Sequence, residues 1–203
     1  MNIQTQAYEL PKKPTKKKAM ETLEVLYKHA PDDVRHQVAE LYKYFQLSTP
    51  KKSKNLSDWV NLATSGEETR AHLVNTYCRD GVLYGCDGYR IHMTPSTLKT
   101  GFYDPSGTRL LLDYEYPDMK RITPEKNHSD TLYMDRLELD SDNTALIELF
   151  GITFKLNLRY LQDIMQNDIT ANIFVTDIEN GSPILFVFDD RETVLMPMRQ
   201  RSI

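Results

Sequence analysis

Between Ala19 and about Ala30 the apolar residues Met20, Leu23, Val25 and Leu26 recur at helical spacing. Val34, Val38, Leu41, Tyr42 and Phe45 repeat that period beyond Pro31, Asp32 and Asp33, residues that suit the first turn of a new helix. The two stripes predict a helical hairpin over 19–47. Ahead of it, residues 1–18 carry Pro11, Pro14 and Lys12, Lys13, Lys16, Lys17 and Lys18 with almost no large apolar side chains, which reads as a flexible basic tail. Residues 48–55, with Pro50, Lys51, Lys52 and Lys54, read as a linker.

From residue 56 the pattern changes. Ser57 as N-cap and Asp58 in the first turn predict a short helix holding Trp59, Leu62 and Ala63 and ending at Gly66. Strand-like runs follow over 71–77, 81–86 and 89–93, the first two joined by the hairpin signal Asp80-Gly81. Turn residues crowd 100–124, with one strand-like run over 108–114. Further strands are predicted over 132–139 and 144–156. Asn157 then caps a helix bearing Leu158, Leu161, Ile164 and Met165, and three last strands cover 172–177, 183–188 and 192–197. A helix followed by about three strands thus occurs twice, a repeat of architecture rather than of residue identity. The fold class this implies is α+β: two short helices packed on antiparallel sheet over 56–203, preceded by the hairpin.

Charge sharpens the division. The 203 residues hold 25 basic and 29 acidic side chains, a net of −4. Residues 1–54 have 11 basic against 6 acidic, net +5, and residues 55–203 have 14 against 23, net −9. A basic arm on an acidic body still docks on phosphate, because local field rather than total charge governs that encounter. No segment approaches the roughly 18 uninterrupted apolar residues of a membrane span, and the stretch from Met1 to Pro14 lacks the apolar core of a secretory signal. Cys78 and Cys86 are too few for a disulfide scaffold and stand outside metal-site spacing. Reduced thiols in a cytoplasm are expected.

Nothing in the sequence asks for catalysis or a cofactor. His29, His36, His72, His92 and His128 are scattered along the chain. There is no Gly-rich phosphate loop, metal cluster or nucleophile elbow. Asp140-Ser141-Asp142 and Asp189-Asp190 fall in predicted turns, where acidic pairs are common.

Three segments carry a resemblance. Tyr84-Gly85-Cys86-Asp87-Gly88-Tyr89-Arg90-Ile91 is similar to the "A-T-D-G-H-R-L" strand of the bacterial DNA polymerase III β sliding clamps. Tyr116-Pro117-Asp118-Met119-Lys120-Arg121-Ile122 resembles their "F-P-D-Y-R-R-V" interdomain segment, and Val194-Leu195-Met196-Pro197-Met198-Arg199 their terminal "V-V-M-P-M-R". The three stand in the family's order and cover about 55–200. The resemblance implies the DNA-clamp fold, with 56–65 and 154–166 as inner helices facing DNA. It also implies a surface pocket that accepts an apolar peptide from polymerases, clamp loaders or repair proteins. Carried over residue by residue, that pocket is Cys86, Gly88, Tyr89, Arg90 and Ile91, then Pro117, Arg121 and Ile122, then Leu195, Met196, Pro197 and Met198. Met, Ile, Leu and Pro beside one Arg suit an adaptable apolar groove independently of the family.

The departures are informative. Tyr89 stands where the family has His, and Met119 where it has an aromatic residue. Family chains have three domains and close as a dimer, whereas this body has room for one such domain, or one with a large inserted loop. A ring would need several copies in head-to-tail contact, or would never form. The predicted helices are poor in basic residues: Arg70 and Arg159 are the candidates for DNA contact, opposed by Asp58 and Asp163, with Glu67 and Glu68 nearby. Lys12, Lys13, Lys16, Lys17, Lys18, Lys51, Lys52 and Lys54 either supply the missing positive field or simply solubilise an arm.

The expectation is therefore a non-catalytic replication processivity or recruitment factor. It would be a homo-oligomer that binds double-stranded DNA without sequence preference and tethers a polymerase or other replication protein. A clamp-fold adaptor or decoy that never encircles DNA is the alternative. A shortened, diverged member of this kind suits a bacteriophage genome, which would place it in the bacterial host cytoplasm.

Overall fold

The computed structural model describes residues 16–31, 33–38, 53–133, 137–140, 144–166, 168, 170–177 and 182–198. The chain divides into two compact units, Met1–Thr49 and Pro50–Ile203. In the first, helix α1 spans Lys16–His29, starting three residues before the expected Ala19. Lysine is a good helix former, so Lys16, Lys17 and Lys18 belong to the first turn rather than to the tail. Residues 33–38 are helical too, and the Pro31 carbonyl accepts from Val34 N (3.1 Å) and Arg35 N (2.9 Å), so Pro31 precedes that helix rather than entering it. Leu23 and Val38 are buried. Leu41, Tyr42 and Phe45, with Lys12, Lys13, Lys51 and Lys52, lie outside the described residues.

The second unit opens with α2 (Leu56–Asn61). Its N-cap is Asn55 and not Ser57: Asn55 Oδ1 accepts from Asp58 N at 2.8 Å, and Asp58 Oδ2 accepts from Lys54 N, one residue ahead of the cap, at 3.2 Å. The next segment departs further from expectation. A 3-10 helix, Glu68–Leu73, takes the first part of the predicted strand over 71–77, whose last two residues open β1 (Thr76–Arg79). Asp80-Gly81, both at positive φ, turns β1 into β2 (Val82–Cys86), and β3 is Arg90–Pro95. Next come β4 (Gly101–Tyr103), which sequence reasoning missed among the turn residues, and β5 (Arg109–Leu110).

After a 3-10 turn at Met119–Arg121, β6 (His128–Tyr133) and β7 (Glu138–Asp140) divide the run predicted as one strand between two sheets. Likewise 144–156 is a hairpin, β8 (Thr144–Leu149) and β9 (Ile152–Asn157), turned at Phe150-Gly151. Helix α3 (Leu158–Met165) is capped by Asn157 as expected, its Oδ1 accepting from Arg159 N (3.0 Å) and Tyr160 N (3.3 Å). Strands β10 (Thr170–Val175), β11 (Ile184–Val187) and β12 (Glu192–Leu195) complete the unit.

The strands form a nine-stranded antiparallel sheet, β5-β4-β1-β2-β3-β12-β11-β10-β6, and a three-stranded one, β7-β8-β9. The sequence repeat becomes a spatial one. The meander β1-β2-β3 follows α2, the meander β10-β11-β12 follows α3, and the last strands of the two pair at the centre, Arg90 opposite Leu195 and Met93 opposite Glu192. Side chains alternate across these strands. Toward the helices, Leu83 and Cys78 pack on Trp59 and Val60. On the outer face Tyr84, Cys86, Ile91, Met93 and Val194 join Leu73, Phe102, Tyr116 and Met119 in a buried cluster. The helix-sheet approach depends on Gly85, where a Cβ would stand 2.2 Å from the Val60 carbonyl oxygen, so no side chain fits there.

Candidate peptide-binding surface

The first and third motifs meet because β3 and β12 are partners. Beyond the end of the ladder Met196 N donates to the Tyr89 carbonyl at 2.9 Å, and Met198 N donates to the Lys155 carbonyl of β9 at 2.8 Å. The third motif thereby bridges the two sheets. The second motif lies on the same outer face, held by Tyr116, which stacks on Tyr77 (4.8 Å between centroids), and by buried Met119.

Strand alternation sorts the motif residues into three sets. Exposed are Tyr89 (51%), Ile122 (40%), Met196 (40%) and Met198 (45%), with Gly88 and Arg121 also exposed and Pro117 and Pro197 half-buried. Cys86 and Ile91 face outward but lie within the cluster beneath Tyr116 and Met119. Burial pushes the Cys86 thiol pKa up, and its Sγ accepts from Gly88 N at 3.3 Å. Arg90 and Leu195 correct the sequence reading. As neighbours of outward residues they turn to the helix side, where both are buried.

Arg90 there joins four groups. Its Nε lies 3.1 Å from Asp87 Oδ2, its Nη1 2.8 Å from Asp163 Oδ2, its Nη2 donates to the Leu62 carbonyl, and its guanidinium lies 4.3 Å from the Tyr160 ring centroid. Trp59 Nε1 donates to the Asp163 carbonyl at 2.9 Å, tying α2 to α3 directly. Asp163, expected to offset Arg70 and Arg159 on the helix face, is thus the partner of an internal arginine.

Arg70, expected beside the inner helices, instead serves the first motif. It donates to the Asp87 carbonyl, pairs with Glu67 at 3.4 Å and lies 5.3 Å from the centroid of the Tyr89 ring. Gly88 has φ +90°, and a Cβ there would stand 2.3 Å from Arg70 Nη1, so glycine and arginine shape this turn together. On its other side Tyr89 stacks on Tyr160 at 6.5 Å. Tyr160, which sequence reasoning did not single out, thus touches both Tyr89 and Arg90; its place three residues after the Asn157 cap was the available signal. Arg159 is exposed on the first turn of α3. Lys54 is exposed before α2, and Lys16, Lys17 and Lys18 belong to the other unit. Among the described residues no group of three His, Cys, Asp or Glu side chains could hold a metal ion.

A helix and a three-strand meander, used twice and joined through their last strands, define the class: the protein has the sliding-clamp fold. Among solved structures it is similar to a DNA polymerase III subunit β sliding clamp from Bartonella birtlesii bound to griselimycin, with a TM-score of 0.54 and 18% identity over 71% of this chain and 63% of that one. A β sliding clamp from Caulobacter crescentus gives 0.56 and 18% over 71% and 62%. The DNA polymerase III β subunit of Thermotoga maritima gives 0.53 and 12% over the same shares. The chain therefore spans less than two thirds of the length of these clamps. No family model matches the sequence, and no curated protein matches it.

Proposed function

We propose that this protein is a sliding-clamp-like replication factor that tethers a polymerase or another replication protein to double-stranded DNA, itself performing no catalysis. The tether is an apolar peptide of the partner, seated on the outer face around Tyr89, Ile122, Met196 and Met198. The observation that carries the reading is the meeting of the first and third motifs at the β3–β12 junction, which leaves Tyr89, Met196 and Met198 exposed on a clamp fold. Methionines on an exposed surface accommodate varied apolar side chains. Exchanging Met196→Asp together with Met198→Asp is expected to abolish binding of an apolar clamp-binding peptide while lowering the unfolding midpoint only slightly, since the side chains are 40% and 45% exposed and Met198 Sδ accepts only a long 3.8 Å bond from Thr144. Undiminished binding in a peptide titration would remove this surface from consideration.

A second reading is favoured by the helix side of the body. Among the described residues Arg159 and, ahead of α2, Lys54 are its exposed cations, Arg70 is engaged elsewhere, and α2 offers Ser57 and Asp58. Such a face attracts phosphate weakly, which suits an adaptor or decoy that binds replication proteins without encircling DNA. Light scattering coupled to size exclusion separates the readings. A ring of single-domain chains requires an oligomer at micromolar concentration, and retention on circular but not linear DNA. A monomer with no such topological preference establishes the adaptor.

A further inference from the structure

The outer face carries a second depression at the opposite end of β3 and β12 from Tyr89 and Met196. Its volume of about 510 Å³ lies within the ~300–1,000 Å³ range of ligand clefts. The floor is apolar, formed by Val82, Tyr84, Met93 and Pro95 with Phe188 at one side. The rim is not neutral. Asp189 and Glu192, at the β11–β12 hairpin, stand on it together with Lys120.

The cations near this rim are already engaged. Lys120 Nζ is 3.4 Å from Asp80 Oδ2, and Lys126 Nζ is 2.8 Å from Glu192 Oε1. Arg191 bonds Asp190 at 2.9 Å and also Asp168, leaving Asp189 without a paired cation among the described residues. The two threonine hydroxyls are engaged too: Thr94 Oγ1 donates to the Asp190 carbonyl at 3.0 Å and Thr123 Oγ1 to the Met119 carbonyl at 2.8 Å. What the groove offers an incoming group is apolar contact and negative charge.

We propose that this groove docks a short extended peptide of a partner protein in which an apolar side chain is flanked by arginine or lysine. The apolar side chain lies on Met93 and Tyr84, whose sulfur and ring adapt to its shape. The cation lies against Asp189 and Glu192, displacing or sharing Lys126. An acidic peptide is disfavoured there by the Asp189 carboxylate. Because the rim is solvent-exposed, the charge contribution is screened by salt. The groove shares no residue with the Tyr89–Met196–Met198 surface, so the two could be filled at once.

The test uses the full chain and a fluorescently labelled peptide with the sequence of residues 196–203, which supplies two methionines, an isoleucine and two arginines. A second peptide carries glutamate in place of both arginines. In anisotropy titrations the arginine peptide is expected to bind about tenfold more tightly, the scale of two exposed charge pairs. Asp189→Lys combined with Glu192→Lys is expected to abolish that preference, whereas Met196→Asp with Met198→Asp leaves it intact. Equal binding of the two peptides overturns the proposal, as does a preference that survives in the Asp189/Glu192 variant. Loss of the preference in the methionine variant overturns it as well, by assigning the peptide to the other surface. The peptide comparison leaves the protein unaltered, so its outcome does not depend on the folding of any variant.

Discussion

Replacing Arg90 by Met is expected to destabilise the second unit by about 2–4 kcal/mol. The side chain is only 6% exposed, and its guanidinium holds three separate pieces of chain: the Asp87 turn, the Leu62 carbonyl at the end of α2, and Asp163 on α3. Removing it takes the guanidinium from the Asp163 carboxylate and the Leu62 carbonyl, while Asp87 Oδ1 keeps the backbone amides of Tyr89 and Arg90. The Asp87 and Asp163 side chains are 13% and 22% exposed, so water relieves part of that penalty, which places the loss below the extreme for a fully buried pair. Arg90→Lys retains the charge but not the fork, and one ammonium cannot reach all three acceptors, so an intermediate loss is expected. Urea denaturation checks this through the midpoint. Coupling is read from the cycle with Asp163→Leu, where the double variant should recover part of the loss because no carboxylate on α3 is then left unpaired. An unchanged midpoint with weakened peptide binding would return Arg90 to the binding surface where the resemblance put it.

That contrast explains what the sequence made legible and what it concealed. Local signals with one dominant interaction were read correctly: Asp80-Gly81 as a two-residue turn, Asn157 as a cap, and the helix-then-strands order repeated twice. The Asn55 cap was misassigned to Ser57 because both residue types cap well, and only the hydrogen bond to Asp58 N distinguishes them. The three motifs were visible as strings, but a string does not reveal its faces. Residues adjacent on a strand point to opposite sides, so Ile91 and Arg90 part company, as do Met196 and Leu195. Applied to the motifs, the same period-2 rule would have separated them. The first part of the strand predicted over 71–77 failed for a non-local reason. Leu73 lends its carbonyl to Ser65 N at 2.9 Å while Arg70 reaches the Asp87 turn, and both contacts require the chain to coil there.

Acidification is expected to weaken the fold through His92, by up to about 1.4 kcal/mol per pH unit below the ordinary histidine range. His92 lies on β3 facing the helices with no exposure, its ring stacked on the Trp59 indole at 4.0 Å and 14°. The Trp59 carbonyl, 2.8 Å from Nδ1, can only accept, so the neutral ring carries its proton there. Nε2 has no partner among the described residues. Burial first, and then the nearby positive charge of Arg90, lower the pKa to about 3. The folded value lies below the unfolded one, so the unfolded chain binds the proton first as pH falls. The stability is complete above about pH 6.5 and declines between there and about pH 3. Between pH 7.5 and 5 the loss due to this one group amounts to about 2 kcal/mol. His92→Gln removes the titrating ring. That variant should be less stable at neutral pH, for want of the stack on Trp59, yet flatter in its pH dependence by about that amount. Urea midpoints at pH 7.5 and 5 for the two proteins give the comparison directly, and parallel profiles would mean that the buried imidazole is not the group that acid attacks.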